Sequence, residues 1–394
     1  MSDTLPYLTT KYTQKGRFLF DGCKLLWHRD KLQDYLDGKH ISPIHIDMGI
    51  HKSCNIRCIY CYGIKQKPAP DYIPEDRLLK LADDAKECGI RSLAIIGDGE
   101  PTMNKGLYPF VQRGKKNNID LSVATNGLLL DEDKIKILTE SLVWVRFNIS
   151  GVDKYDFIHG TKDSFSRFEN IIQLAVKYGK QNKCTIGLQM VLIPQCFSEV
   201  IPLAIKAKRW GVDYLVIKQF SDPEEDIPVS FDMSEYDRVT EALNIVEGMS
   251  DENTSIIAKW SAIKDSRCIT KEHIWNFDRC IDLPFIFQIS GNGKCYPCGY
   301  LFGNDGYCYG SVIDQDIKTI LSSARYREVI KRISETELIN LCRGQCRHCE
   351  TNKFIDRLTK LYTGNLEEAL IKMCGSKEQY ETLINNPPTH INFV

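Results

Sequence analysis

Between Ile44 and Asp222 six apolar, strand-like runs alternate with helical patterns, and this alternation restricts the chain more than any other feature. The runs are IHIDMGIH (44–51), SLAIIG (92–97), IDLSVAT (119–125), VWVRFNIS (143–150), CTIGLQMVLI (184–193) and YLVIKQF (214–220). Between them, segments from EDRLLKLADDAKECG to EVIPLAIKAKRWG have helical spacing, with Gly or Asn near several ends. Repeated β-α units with right-handed crossovers give a parallel sheet, either doubly wound or curled into a complete or partial barrel. In both cases ligands bind where the strands end.

The rest of the chain divides around this core. Residues 1–43 contain the amphipathic stretch FLFDGCKLLWHRDKLQDYLDGKH, expected as an N-terminal helical extension of a 44–222 core. Residues 223–279 read as a helical linker, 280–350 as a cysteine-rich second domain and 351–394 as a helical tail with an extended end.

Lys and Arg total 51 against 52 Asp and Glu, so nothing in the charge balance calls for nucleic acid or an anionic membrane as partner. No stretch reaches the roughly 18 apolar residues of a membrane span, and MSDTLPYLTT lacks the pattern of a signal peptide. The expectation is a cytoplasmic protein. In a reducing compartment 16 cysteines point to metal ligation more than to disulfides.

Three of them, Cys54, Cys58 and Cys61, form a C-x3-C-x2-C array directly after the first strand. Three converging thiolates suit an iron-sulfur cubane and leave one iron open. A zinc site completed by a fourth Cys or by His51 is the alternative. The second strand runs into GDGEPTMN, where Gly97 and Gly99 permit close backbone approach to a ligand and Glu100, followed by Pro101, is placed to accept from a ligand ammonium group. The third and fourth strands end in ATNG and NISG, bringing Thr125, Asn126, Asn148 and Ser150 to the same mouth, unless each simply caps a helix.

In order and strand placement these residues resemble the radical S-adenosylmethionine (SAM) superfamily: the cysteine triplet with Tyr60 before its last member, then GDGEP in the place of a Gly-Gly-Glu-Pro element, interrupted by Asp98. The resemblance implies a partial (β/α)6 TIM-like barrel over about 44–220. It also implies a SAM-binding 4Fe-4S cluster on Cys54, Cys58 and Cys61, and SAM contacts from Tyr60, Gly99, Glu100, Pro101, Asn126, Ser150 and His159. Cleavage of SAM, fed by an external flavodoxin- or ferredoxin-like one-electron reductant, then gives a 5'-deoxyadenosyl radical that takes hydrogen from the substrate.

Downstream, CIDLPFIFQISGNGKCYPC and LCRGQCRHCE resemble the auxiliary-cluster domains called SPASM and Twitch, a β-hairpin plus helices. Cys280 and Cys298 match the shared opening. The later C-x3-C-x2-C departs from the full SPASM pattern and favours one auxiliary 4Fe-4S cluster on Cys280, Cys298, Cys346 and Cys349. Cys295, Cys308, Cys342 and Cys374 remain for a second. Such a closed cluster suits electron transfer, so dehydrogenation is expected, with Arg146, His159 and Lys218 as candidate bases. Epimerisation with Cys308 as hydrogen donor is the other outcome. The short N-terminal segment favours a small hydroxylated substrate such as a sugar or aminocyclitol. A peptide-modifying enzyme is the alternative, and a non-catalytic iron-sulfur or zinc module a reading of another class.

Overall fold

A computed structural model of the chain describes residues 18–20, 23–61, 71–220, 231–260, 277–336, 342 and 348–394. The six expected strands form at β1 (His45–Met48), β2 (Ser92–Ile95), β3 (Asp120–Thr125), β4 (Trp144–Asn148), β5 (Thr185–Leu192) and β6 (Tyr214–Gln219), each pair parallel. After the short helix α1 (Arg29–Leu36), the crossovers carry α2 (Glu75–Glu87), α3 (Leu107–Lys116), α4 (Glu132–Ser141), α5 (Tyr155–His159), α6 (Phe165–Asn182) and α7 (Val200–Trp210).

Strand alternation sorts side chains between the two faces. Ile46, Leu93, Leu121, Val145, Leu188 and Leu215 belong to the main apolar core with the helices, at about 1.5–3 kcal/mol each for full burial. Asp47, Ala124, Arg146, Asn148, Gln189 and Lys218 occupy the opposite parity and line an interior cavity. The barrel interior is therefore polar because of register, with room left by small residues.

Two parts of the sheet differ from expectation. Residues 233–263 read as helical; the structure has α8 (Tyr236–Gly248) followed by β7 (Ser255–Ala258), which pairs parallel to β6. Four residues are too few for a periodic signal to separate from noise. In the second domain β8 (Ile286–Ile289) pairs parallel with β1, while β9 (Lys294–Tyr296) and β10 (Gly310–Ser311) continue antiparallel. The auxiliary hairpin thus extends the barrel's own sheet, giving the order β10-β9-β8-β1-β2-β3-β4-β5-β6-β7.

The remaining helices are α9 (Ile317–Ser322), α10 (Ala324–Glu335), α11 (His348–Leu361), α12 (Leu366–Cys374) and α13 (Lys377–Asn385). The expected N-terminal helix is reduced to a turn at Leu25–Trp27 and α1, whose Leu25, Leu26 and Leu32 pack with α11, α12 and α13. The C-terminal tail, expected to be extended, instead turns at 389–392, with Phe393 N donating to His390 O at 3.2 Å, and packs over the starts of the strands: Asn392 Nδ2 donates to Asp120 at 2.8 Å, His390 Nε2 lies 2.9 Å from Thr185 Oγ1, and the Phe393 ring stands against His45 and Trp144. One end of the barrel is closed by this tail. The other end holds the chemistry.

Candidate active site

A cavity of about 850 Å³ opens at the carboxyl ends of the strands. Cys54, Cys58 and Cys61 line one wall, and Cys298, Tyr300 and His348 of the second domain line another. The first cysteine set and Cys298 of the second therefore face one space.

The three-cysteine loop is held by backbone bonds to α5: Arg57 N donates to His159 O at 3.2 Å and Ile59 N to Ile158 O at 3.0 Å. Glu100 N donates to Ser53 O at 2.9 Å, joining the loop to the second turn. His51, the candidate zinc ligand, accepts from Ser53 N at 2.9 Å through Nδ1. Burial pushes the Cys54 and Cys58 thiols up, Cys58 further by Cys61 and Cys54 beside it. Such thiols ionise only against concentrated positive charge, which an iron cluster provides.

His159 is almost fully buried, and burial lowers its pKa to about 4. Ser150 N donates to Nε2 at 3.1 Å, so the ring proton sits on Nδ1, 3.2 Å from Cys58 Sγ. It is a sulfur-facing hydrogen-bond donor, not a free base.

The glycines of the second turn line the cavity and also meet backbone from behind. A Cβ on Gly97 would lie 2.1 Å from Gly49 Cα, and one on Gly99 2.1 Å from His51 O. These glycines let backbone approach backbone, and Gly99 also reaches the cavity wall. Asp98, the residue that interrupts the glycine pair, accepts from Gly291 N at 2.7 Å and Ser290 Oγ at 2.8 Å, with Lys52 Nζ at 3.7 Å. Glu100 is buried in a full network: Oε1 accepts from Thr102 Oγ1 at 2.6 Å and Thr125 Oγ1 at 2.5 Å, and Oε2 from Asn126 N at 2.8 Å. Burial raises its pKa against those bonds. Pro101 starts the turn Pro101–Met103 and does not line the cavity. Asn126 and Tyr60 do.

Ser150 follows the end of β4. It is wholly buried and outside the cavity lining, with its hydroxyl donating to Tyr60 OH at 3.1 Å and accepting from Val191 N at 3.0 Å. One strand turn earlier, Asn148 lines the cavity, and its buried Oδ1 has no hydrogen-bond partner among the described residues. Cys308 precedes β10. It sits by the β9–β10 edge, donating to Gly310 O at 3.3 Å, and does not line the cavity. Arg146 and Lys218 do.

In the second domain Cys298 and Cys342 lie close enough to Cys280 to add to the burial that pushes its thiol up, and Cys342 does the same to Cys298, which is pushed up to about 12 chiefly by burial. Cys349 packs with Cys280 and Cys342 around Phe277. Cys346 lies outside the described residues. The leftover quartet is divided: Cys342 joins the main group, Cys374 is buried in the C-terminal helical core, and Cys308 neighbours Cys295. Sequence reasoning missed the polar network behind this wall: His348 Nδ1 lies 2.8 Å from Asp282, His348 Nε2 3.1 Å from Gln288 Nε2, and Asn352 Nδ2 3.5 Å from Cys280 Sγ. It also missed Asp47. Inward parity on β1 and β8 was the available signal for Asp47 and Gln288.

A partial barrel with a three-thiol loop after its first strand and a buried carboxylate turn after its second defines the class of enzymes that cleave SAM at an iron-sulfur cluster. Residues 48–203 match the radical SAM superfamily and residues 280–350 the SPASM iron-sulfur cluster-binding domain. The chain belongs to the radical SAM superfamily and carries a C-terminal SPASM domain.

It is similar to a tungsten-containing aldehyde ferredoxin oxidoreductase cofactor-modifying protein of Pyrococcus furiosus, at 23% identity over 72% of this chain and 82% of that one. A cysteine-type anaerobic sulfatase-maturating enzyme of Clostridium perfringens is 23% identical over 76% of this chain and 87% of its own. The fold resembles Streptococcus suis SuiB bound to precursor peptide SuiA, with a TM-score of 0.60 at 16% identity over 82% of this chain and 80% of that one. The cofactors are SAM and 4Fe-4S clusters. When bound, they supply a 5'-deoxyadenosyl radical that abstracts hydrogen. Among the described residues no helix is long and apolar enough to cross a membrane.

Proposed function

We propose that this radical SAM enzyme oxidises a side chain of a peptide or protein held between its two cysteine sets. The observation that carries this reading is the single cavity lined by Cys54, Cys58 and Cys61 at one wall and by Cys298 at another. A substrate there is within reach of a radical on one side and an electron acceptor on the other. The sulfatase-maturating relative and the peptide-bound SuiB fold support a peptide substrate over the sugar or aminocyclitol expected from the sequence. That maturase is covered over 87% of its length, so a protein target does not call for a long added recognition domain.

In this reading Cys54, Cys58 and Cys61 hold the SAM cluster. His159 donates to Cys58 and orders the loop. Gly99, Glu100, Asn126 and Asn148 face SAM, with Asn148 in the place first given to Ser150. Tyr60 and Ser150 brace the loop against β5. Arg146 and Lys218 orient anionic groups; a guanidinium stays protonated and is no base. Cys280, Cys298 and Cys349, with Cys342 or Cys346 as the fourth ligand, would hold one auxiliary cluster able to accept the electron.

The test is anaerobic reconstitution with SAM, dithionite and candidate precursor peptides. A peptide product two mass units lighter, formed with deoxyadenosine, is expected. Turnover of polyols alone, with every peptide inert, overturns the substrate class. An unchanged mass with solvent deuterium incorporated overturns oxidation in favour of epimerisation.

A further inference from the structure

The wall supplied by the second domain holds a hydrogen-bond acceptor that the assignments above leave unused. Gln288 stands on β8, flanked in register by Asp47 of β1 and Tyr296 of β9, and lines the cavity while only 8% exposed. Its Nε2 lies 3.1 Å from Nε2 of His348, and its Oε1 has no hydrogen-bond partner among the described residues. That oxygen is not sealed off by neighbouring atoms, so it opens on the cavity.

A buried frame fixes which way this carboxamide points. Asp282 accepts from His348 Nδ1 at 2.8 Å through Oδ2 and from Asn352 Nδ2 at 2.9 Å through Oδ1, and all three residues are buried. A carboxylate accepts, so the imidazole proton sits on Nδ1 and Nε2 offers its lone pair. Gln288 therefore turns its NH2 toward the ring and its oxygen away from it. Beside that oxygen is Gly299, the residue after Cys298: a Cβ there would stand 3.5 Å from Oε1 and meet nothing else within 4 Å. The missing side chain leaves Oε1 approachable by a group as slim as a peptide backbone.

We propose that Gln288 Oε1 accepts a hydrogen bond from a main-chain N–H of the substrate, at or next to the residue that is oxidised. This rests on the peptide reading given above and deepens it. A peptide N–H that enters the cavity leaves its water behind and needs an acceptor, and one already held in place costs little ordering to meet. Every residue except proline carries that donor, so Gln288 selects a backbone position and not a side chain. The amide it holds lies on the wall that carries Cys298, beside the auxiliary site.

The probe is the shortest precursor peptide oxidised in the reconstitution above, prepared intact and with one amide at a time replaced by an ester, which keeps the carbonyl and removes the N–H. Steady-state rates of the reconstituted holoenzyme are compared with those of Gln288→Leu. In the wild type one ester analogue should show a KM raised about tenfold with kcat little changed, the scale of one hydrogen bond. In Gln288→Leu the intact peptide should show the same rise, and the ester should cost nothing further. A merely structural glutamine would leave the ester penalty in place. Equal penalties in both proteins, or no penalty at any position in the wild type, overturn the assignment alone, as does a rise confined to the KM for SAM. Failure of every peptide to be oxidised overturns the peptide reading and this assignment with it. Should Gln288→Leu fail to fold, Gly299→Ala decides: its methyl covers Oε1 and should shrink the ester penalty, and an unchanged penalty overturns the assignment.

Discussion

The Asp98 carboxylate, on the turn after β2, accepts a hydrogen bond at 2.7 Å from the Gly291 amide, 193 residues later on the turn between β8 and β9. Its other oxygen takes the Ser290 hydroxyl, and its side chain is fully buried. The residue that interrupts the family's glycine pair is thus the clamp between the barrel and the hairpin carrying Cys298. Asp98→Ala leaves a buried amide unsatisfied and Lys52 without this partner. A loss of about 3 kcal/mol is expected, read by urea denaturation, together with faster amide exchange at Gly291.

The glycines around that clamp have no room for a methyl group. Gly97→Ala would force its Cβ into Gly49 Cα at 2.1 Å and is expected to cost more than about 3 kcal/mol or to prevent folding. Gly248→Ala meets nothing within 4 Å at the end of α8, and should be neutral or stabilising by about 0.5–1 kcal/mol. Denaturation midpoints of the two variants check the contrast.

His159 should tune the SAM cluster. An N–H donated to a thiolate favours the reduced, more negative cluster, so His159→Phe is expected to lower its potential by on the order of 50 mV, about 1.2 kcal/mol for one electron. An EPR-monitored redox titration measures it. An unshifted potential with the iron retained would show that the 3.2 Å contact to Cys58 does not persist in the loaded protein.

Iron content separates the cysteines. The variant lacking Cys54, Cys58 and Cys61 should keep about four irons, one cubane. Adding Cys342→Ala should lower that number, whereas adding Cys374→Ala should not, because Cys374 is buried among the C-terminal helices. Retention of about eight irons would reveal a second auxiliary cluster.

Acid should weaken the contact between α1 and the tail. His28 is fully buried, donating from Nε2 to Ile391 O at 3.0 Å and accepting from Arg91 at 2.6 Å. Burial, with help from Arg91, holds its pKa at about 4, against an ordinary 6.5. Between those values the unfolded chain binds a proton that the folded chain refuses, so stability falls as pH drops from 6.5 to 4. The loss is about 3 kcal/mol at about 1.4 per pH unit. Urea curves across that window should lose part of their slope in His28→Gln.

The sequence by itself determined the β-α alternation, the placement of Cys54, Cys58 and Cys61 after β1, and the pairing of Cys280 with Cys298 across a hairpin. Each depends on spacing within a few tens of residues, which periodicity and turn chemistry record. Tertiary structure decided what depends on parity or on distant partners. Asn148 and Ser150 are both polar and of the same parity, and only the packing of the segment beyond the end of β4 ties Ser150 to Tyr60 and Val191 while Asn148 lines the cavity. The four residues of β7 become a strand because β6 offers an open edge to pair with. Cys308, near Cys298 in sequence, is carried to the β9–β10 edge. Asp98 and the tail acquire their roles from partners on other elements, at separations that no local pattern encodes, because burial and unmet hydrogen bonds are settled only when the whole chain has closed.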